Sequence, residues 1–186
     1  MHADRSTTPP DGKGLLPIAG SAEAAILALN NEHAVELSWL DADRLASLLK
    51  QAFYARQIGD PDAFLIAFDE RAIYDSPNYL WFRQRYRRFV YVDRIVVAAP
   101  LRGRGYARML YCDLFSRARR AGHDIIVCEV NSDPPNPALD AFHASLGFEE
   151  AGRAAIHQGG KTVRYLARTI ITTTVFGDFV ACARRA

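Results

Sequence analysis

The chain has 186 residues, which suffices for one domain with a substantial core and is short for two. Hydrophobic residues make up 49% and charged residues 24%, a composition typical of globular proteins and unlike that of disordered or membrane proteins. The formal net charge is only +2, which disfavours a general polyanion-binding surface, and no apolar run approaches the roughly 20 residues of a membrane span.

The N-terminal segment and the cysteines set further limits. The first 14 residues contain neither the apolar run of a secretory signal nor an Arg-rich amphipathic helix. We therefore predict a flexible leader over 1–14 and a cytoplasmic protein. The three cysteines lie far apart and lack the paired spacing of a zinc knuckle, and we predict no metal.

The first half of the chain predicts a strand, two helices and a hairpin. The stretch "LLPIAG" is a short strand, and Ser21 is the expected N-cap of the helix that follows it. A second helix begins after Asp41, with its leucines on one stripe. The turn sequence "GDPD" separates two strands, 54–58 and 63–69, and so predicts a hairpin.

The second half predicts a parallel βαβ unit. Residues 89–99 are rich in Val and Ile, residues 104–121 have helical spacing, and "DIIVCEV" is a second apolar strand. A crossover through a helix predicts that the two strands pair in parallel. A helix from Asn136 to Gly147 and two final strands, near 149–157 and 162–170, complete the chain. Before this unit, 76–89 predicts a short helix within a long connection.

The turn "PLRGRGYA" joins the first strand of the βαβ unit to its helix. Amides at a helix N-terminus favour an anion, and Gly103 and Gly105 allow it to approach the backbone closely. Arg102 and Arg104 add formal charge there. The alternative is a tight turn with solvated arginines. The turn matches neither the Walker loop nor the dinucleotide fingerprint, which argues against a nucleoside triphosphate and against a dinucleotide as its ligand.

The sequence resembles the GNAT superfamily of N-acetyltransferases. Arg102, Gly105 and Ala107 match the acetyl-CoA loop of that family, [RQ]-x-x-G-x-[GA], and "NPALDAFHASLGF" is similar to its later helix motif. The resemblance covers roughly residues 15–170, which we expect to form one acetyltransferase domain, and the tail 171–186 matches no known pattern. It implies an α/β fold: a GNAT-like mixed β-sheet flanked by helices in a single domain.

The resemblance also implies where acetyl-CoA binds. Its pyrophosphate is expected at the backbone of 102–107, and its pantetheine arm beside the strand that precedes this loop. Asn136 is the N-cap of a helix and an added cofactor contact. The expected cofactor-binding residues are Ile95, Val96, Val97, Arg102, Gly103, Arg104, Gly105, Tyr106, Ala107 and Asn136, with the side chain of Tyr106 used for packing.

Three residues are candidates for proton transfer to and from the reactants. Asp93 lies where the family often has an acidic general base; alternatively it pairs with an Arg on a neighbouring strand. Glu129 is a second carboxylate within an apolar strand and suits a proton acceptor, a substrate contact or a structural pair. His143 replaces the tyrosine acid of many family members; alternatively it is a buried helix histidine bonded to backbone.

Aromatic side chains of 76–89 are expected either to line the acceptor pocket or to belong to the core. The residues predicted for the pocket are Tyr79, Trp81, Phe82 and Tyr86.

The function predicted from the sequence is direct acetyl transfer from acetyl-CoA to an amine, with a small molecule slightly favoured over a peptide. A non-catalytic acyl-CoA sensor is the first alternative. A nucleic-acid-binding domain that uses the Arg clusters is the second, disfavoured by the low net charge. We predict no nucleic-acid or membrane partner, and sheet edges are consistent with a homodimer.

Overall fold

The computed structural model describes residues 12–132, 135–156 and 161–170. Most of the predicted leader, the tail 171–186 and the turn at 157–160 therefore lie outside the described residues. The strands are β1 Leu15–Pro17, β2 Tyr54–Ile58, β3 Ala63–Asp69, β4 Val90–Val97, β5 Ile125–Asn131, β6 Glu149–Ile156 and β7 Lys161–Thr169. The helices are α1 Ala22–Glu32, α2 Ala34–Leu37, α3 Ala42–Gln51, α4 Pro77–Arg83, α5 Tyr106–Arg120 and α6 Pro137–Ser145.

The starts of α1, α3 and α6 follow the predicted caps, with one difference. The side chains of Asp41 and Asn136 accept hydrogen bonds from backbone N–H groups of α3 and α6, as expected of N-caps. Ser21 occupies the N-cap position of α1 but makes no capping bond through its side chain. There the Glu23 carboxylate accepts a hydrogen bond from the backbone N–H of Gly20, and this bond holds the helix entry.

One seven-stranded sheet runs in the order β1-β2-β3-β4-β5-β7-β6. The predicted hairpin β2–β3 is confirmed, and so is the parallel pairing of β4 with β5 around α5. All the other neighbouring strands are antiparallel, which makes the sheet mixed. The last strand, β7, lies between β5 and β6, an order that the sequence analysis does not predict.

Each face of the sheet buries its own hydrophobic cluster. The apolar stripe of α5, including Leu110 and Leu114, packs with Val90 and Val92 of β4 on one face. Helices α1, α3 and α4 cover the other face, where Phe82 packs against Tyr91. No helix among the described residues combines the length and apolarity that a membrane crossing needs.

Candidate active site

Strands β4 and β5 separate along their length and form a fork. They pair only from Val90 to Val92 and from Ile126 to Cys128. Beyond that point β4 stays paired with β3 as far as Val97, and β5 stays paired with β7 as far as Asn131. The facing edges of β4 and β5 therefore carry backbone groups that no strand between them satisfies, and an extended ligand can pair with them.

A β-bulge places Asp93 at the base of the fork. Val92 and Arg94 pair with consecutive residues of β3, Ala67 and Ile66, so Asp93 is the extra residue of β4. As a result Arg94 follows Asp93 on the same side, and its Nε donates a hydrogen bond of 2.6 Å to Asp93 Oδ2. Both side chains are 5% exposed.

The carboxylate of Asp93 has both oxygens engaged. The hydroxyl of Tyr74 donates to Oδ1 at 2.6 Å, while Arg94 holds Oδ2. Arg94 in turn donates to Asn30 Oδ1 of α1 at 2.7 Å. Asp93 pairs with an Arg, as its alternative interpretation expects, but this Arg is the next residue and not one on a neighbouring strand, because the bulge breaks the alternation of side chains.

Glu129 lies near Asp93 on the facing strand β5. It directly follows Cys128, the last residue of β5 that pairs with β4. Its Oε2 is buried and has no hydrogen-bond partner within the part of the chain that the structure describes. Burial first, and the negative charge of Asp93 second, raise the pKa of Glu129 to about 7. Hydrogen bonds from Tyr91 and Asn78 act in the opposite direction. This carboxylate is thus able to take up a proton near neutral pH.

The glycine-rich turn lies at the open end of the fork. Gly103 and Gly105 have φ values of 78° and 83°, in the left-handed region that favours glycine, and a Cβ added at either position would meet open space out to 4 Å. Gly105 is the N-cap of α5, and the amide of Met109 makes the first helical bond to its carbonyl. The first-turn amides of α5 are therefore next to an exposed and open stretch of backbone that suits an anion.

The other predicted cofactor residues differ in exposure. Arg102 and Arg104 are exposed, and Arg102 Nε donates to the carbonyl oxygen of Val97 at 3.4 Å. The side chain of Tyr106 is 1% exposed and packs in the core, as predicted. Asn136 caps α6 at an exposed position.

His143 is buried against α5 and has a partner at each ring nitrogen. Its Nδ1 lies 3.0 Å from the carbonyl oxygen of Leu139, which accepts a hydrogen bond from it, and its Nε2 lies 3.1 Å from the hydroxyl of Tyr111. The proton on Nδ1 leaves Nε2 as an acceptor for Tyr111. Burial lowers the pKa of His143, so the ring is neutral at physiological pH.

The four aromatic residues predicted for the acceptor pocket divide into two pairs. Tyr79 and Phe82 have no exposed surface, and the hydroxyl of Tyr79 donates to the backbone oxygen of Asp69. Trp81 and Tyr86 are half-buried. The Trp81 ring stacks on Tyr165 with centroids 4.1 Å apart. The helix α4 thus turns Trp81 toward β7, and Tyr79 and Phe82 into the core.

A family model described as the acetyltransferase (GNAT) family matches residues 37–148, more than half of the chain. The chain belongs to the acetyltransferase (GNAT) family. It is an acetyl-CoA-dependent N-acyltransferase, and the resemblance carried by Arg102, Gly105 and Ala107 is confirmed. A search of curated proteins by sequence finds no match.

Solved structures of this GNAT fold are similar over most of the chain. Ribosomal-protein-alanine N-acetyltransferase from Brucella melitensis is 18% identical with a TM-score of 0.63, over 84% of this chain and 99% of that one. The structure of yncA from Salmonella typhimurium, solved with its cofactor acetyl-CoA, is 19% identical with a TM-score of 0.62, over 88% of this chain and 96% of that one. The structure of Arabidopsis thaliana NAA60 in complex with acetyl-CoA is 12% identical with a TM-score of 0.65, over 85% of this chain and 98% of that one. The likeness confirms the predicted mixed sheet flanked by helices.

Sequence reasoning missed the polar residues that surround Glu129 from other elements. Tyr165 of β7 donates to Asn78 Oδ1 of α4 at 3.1 Å, and Asn78 and Tyr91 both interact with the Glu129 carboxylate. Tyr74 likewise donates a hydrogen bond to Asp93. The tyrosines among them carry one signal in the sequence, because a tyrosine hydroxyl that is buried needs a hydrogen-bond partner.

Proposed function

We propose that this GNAT enzyme transfers an acetyl group from acetyl-CoA to the primary amine of an acceptor that reaches the fork beside Glu129. The observation that carries the proposal is the fork itself. It combines unsatisfied strand edges, a buried carboxylate oxygen without a hydrogen-bond partner in the described residues, and a glycine-rich turn at its open end.

The residues around the fork fit acetyl-CoA. The open glycine positions and the N-terminus of α5 suit the pyrophosphate, with Arg102 and Arg104 close enough in sequence to add positive charge. The edge of β4 at Ile95, Val96 and Val97 suits the amides of the pantetheine arm. Asn136, at the exposed start of α6, is proposed as a further contact.

Glu129 is proposed as the group that takes the proton from the attacking amine. An ammonium ion has no lone pair with which to attack the thioester, so its proton must leave before the carbon–nitrogen bond forms. A carboxylate with a pKa of about 7 is half deprotonated near neutral pH and can accept that proton. Its buried Oε2 has the free acceptor capacity that this step requires.

Asp93 is proposed to act through its charge. Both of its oxygens already accept hydrogen bonds, from Tyr74 and Arg94, which leaves it less suited than Glu129 to receive a substrate proton. Its negative charge favours the protonated form of Glu129 and attracts a cationic amine.

His143 is proposed to protonate the departing thiolate as the carbon–sulfur bond breaks. Its neutral ring carries a proton on Nδ1, which is donated to the carbonyl oxygen of Leu139, and Nε2 faces Tyr111. A neutral ring that gave its only N–H proton to sulfur would become an imidazolate, so His143 must first take up a proton from water at Nε2, in place of its contact with Tyr111. The imidazolium then donates that proton to sulfur and returns to the neutral ring.

The acceptor is proposed to be an amine, with a small molecule retained as slightly preferred over a peptide. Trp81, stacked on Tyr165 and covered by the Arg85 guanidinium 3.7 Å from the Trp81 ring centroid, limits the space on the α4 side. Proteins of similar fold include a ribosomal-protein-alanine N-acetyltransferase, so peptide N-termini belong in any acceptor screen. The cytoplasmic location and the homodimer stay predictions from the sequence.

The test is the release of free CoA from acetyl-CoA in the presence of a panel of small amines, amino acids and short peptides. We expect at least one class to raise thiol release well above the rate with water alone. If no amine does so while calorimetry shows tight acetyl-CoA binding, the chain is a sensor of acyl-CoA and the transferase proposal is wrong. Preference for peptides over every small amine would overturn only the slight preference for small molecules.

A further inference from the structure

A second polar cluster lies at the opposite end of the sheet from the glycine-rich turn. Asp69 ends β3, Glu70 follows it, and His123 lies between α5 and β5. Each of the three offers one ligand atom, and these atoms all lie within 4.8 Å of one another. Asp69 pairs with Val90 at the start of β4, so the cluster is next to the closed end of the fork and away from the proposed acetyl-transfer site.

Two buried atoms of this cluster face each other without hydrogen-bond partners. His123 is 3% exposed, and its Nδ1 lies 3.4 Å from Glu70 Oε2. Neither atom makes a hydrogen bond within 12–132, 135–156 and 161–170. When the His123 proton is on Nε2, the lone pair of Nδ1 and the carboxylate lone pair repel each other in this buried site, and leaving two such acceptors unsatisfied is costly. A cation between them removes both costs.

The spacing of these atoms suits a metal ion. Ligands about 2.1 Å from a tetrahedral metal centre lie roughly 3.4 Å from each other, which is the observed separation of His123 Nδ1 and Glu70 Oε2. Asp69 accepts a hydrogen bond from the backbone N–H of Arg71 through Oδ1, so its other oxygen is available as the third ligand after a modest side-chain movement. Water completes the coordination at such a site.

The surroundings select the type of cation. Arg71 lies 3.8 Å from the other oxygen of Glu70, and the charges of Arg71 and Arg88 both act on His123. These guanidinium groups offset the two carboxylates, which weakens the purely electrostatic attraction that Ca²⁺ and Mg²⁺ rely on. An imidazole ligand instead suits first-row transition metals and Zn²⁺.

We propose that Asp69, Glu70 and His123 bind one divalent transition-metal ion of the Zn²⁺ type. Such an ion would link the end of β3 to the start of β5. The two halves of the sheet are otherwise joined by the short parallel pairing of Val90–Val92 with Ile126–Cys128, so a metal bridge here would stabilise the closed end of the fork.

The experiment titrates Zn²⁺ into the full chain after treatment with a chelator, followed by calorimetry and thermal unfolding. We expect one saturable site per chain and a rise in the melting temperature with Zn²⁺ concentration. His123→Asn and Glu70→Gln should each weaken Zn²⁺ binding by at least about tenfold. His33→Asn, which changes a histidine outside the cluster, should bind Zn²⁺ like the wild type.

Co²⁺ substitution tests the ligand set and does not depend on the folding of any one variant. The visible absorption of bound Co²⁺ should indicate nitrogen and oxygen ligands, and Ca²⁺ should not displace it. Thiolate charge-transfer bands, equal binding by Glu70→Gln and the wild type, or loss of binding in His33→Asn would each overturn the proposal. Absence of saturable binding would overturn it too. None of these readouts depends on acetyl transfer.

Discussion

Replacing Glu129 with Gln should make the protein more stable and nearly inactive. The amide keeps the shape of the side chain and can still accept hydrogen bonds from Tyr91 and Asn78. It cannot accept a proton from the amine. Loss of a general base costs roughly 10² to 10⁴-fold in rate, so kcat should fall by that factor while acetyl-CoA binding changes little.

The gain in stability follows from the pKa of Glu129. Its pKa rises from the ordinary 4.5 to about 7 on folding. Between these pH values the folded chain holds a proton that the unfolded chain has released, so the free energy of unfolding falls as pH rises through this interval. At about 1.4 kcal/mol for each unit of pKa, the full effect is about 3 kcal/mol above pH 7. Glu129→Gln avoids this cost, and its free energy of unfolding at pH 8 should exceed the wild-type value by up to that amount.

Denaturant unfolding at pH 5 and pH 8, together with kcat measured across the same range, tests both effects. Wild-type kcat should rise with pH toward about 7, and the variant should lack this rise. Glu32→Gln, a change at a helix carboxylate outside the fork, is the matched control and should change neither quantity. An active Glu129→Gln enzyme with the wild-type pH profile would refute the role of Glu129, and an unchanged pH dependence of stability would refute its raised pKa.

Substitutions at four further positions test the other parts of the site. Gly105→Glu should abolish acetyl-CoA binding in calorimetry, because the new carboxylate repels phosphate. Gly105→Ala adds only backbone strain at φ 83° and should lose less affinity for acetyl-CoA. Equal affinity of the Glu variant and the wild type would contradict the loop assignment. Trp81→Ala should raise the KM of the acceptor more than that of acetyl-CoA, and an equal rise in both would indicate core damage alone. His143→Ala should lower kcat by roughly 10 to 10⁴-fold and His143→Tyr should restore part of it, while wild-type kcat in a folded His143→Ala protein would remove His143 from the mechanism. Asp93→Asn should move the acidic limb of the pH–rate profile to lower pH, because its charge raises the pKa of Glu129; loss of the limb would instead make Asp93 the base.

Local patterns in the sequence were enough to predict most of the secondary structure. The Val- and Ile-rich runs of β4 and β5 and the apolar stripe of α5 specify a parallel βαβ unit, because strand period and helix period are both short-range signals. The position of β7 between β5 and β6 depends on pairing between distant segments, and no local pattern encodes it.

The candidate site was predicted in its residue types but not in its contacts. Glu129 and Asp93 are visible in the sequence as charges within apolar strands. The bulge that puts Arg94 beside Asp93 depends on the register with β3, and the approach of Asn78 to Glu129 depends on how α4 packs on the sheet. Each of these requires knowledge of tertiary structure.

We propose that this GNAT enzyme acetylates an amine at the fork between β4 and β5. Mass spectrometry of acceptors incubated with isotopically labelled acetyl-CoA tests it most directly, with wild type and Glu129→Gln run in parallel. We expect a labelled acetyl group on an amine nitrogen with the wild type, and roughly 10² to 10⁴-fold less of it with the variant. Labelled product formed equally by both proteins, or no labelled product from any amine with the wild type, would contradict it.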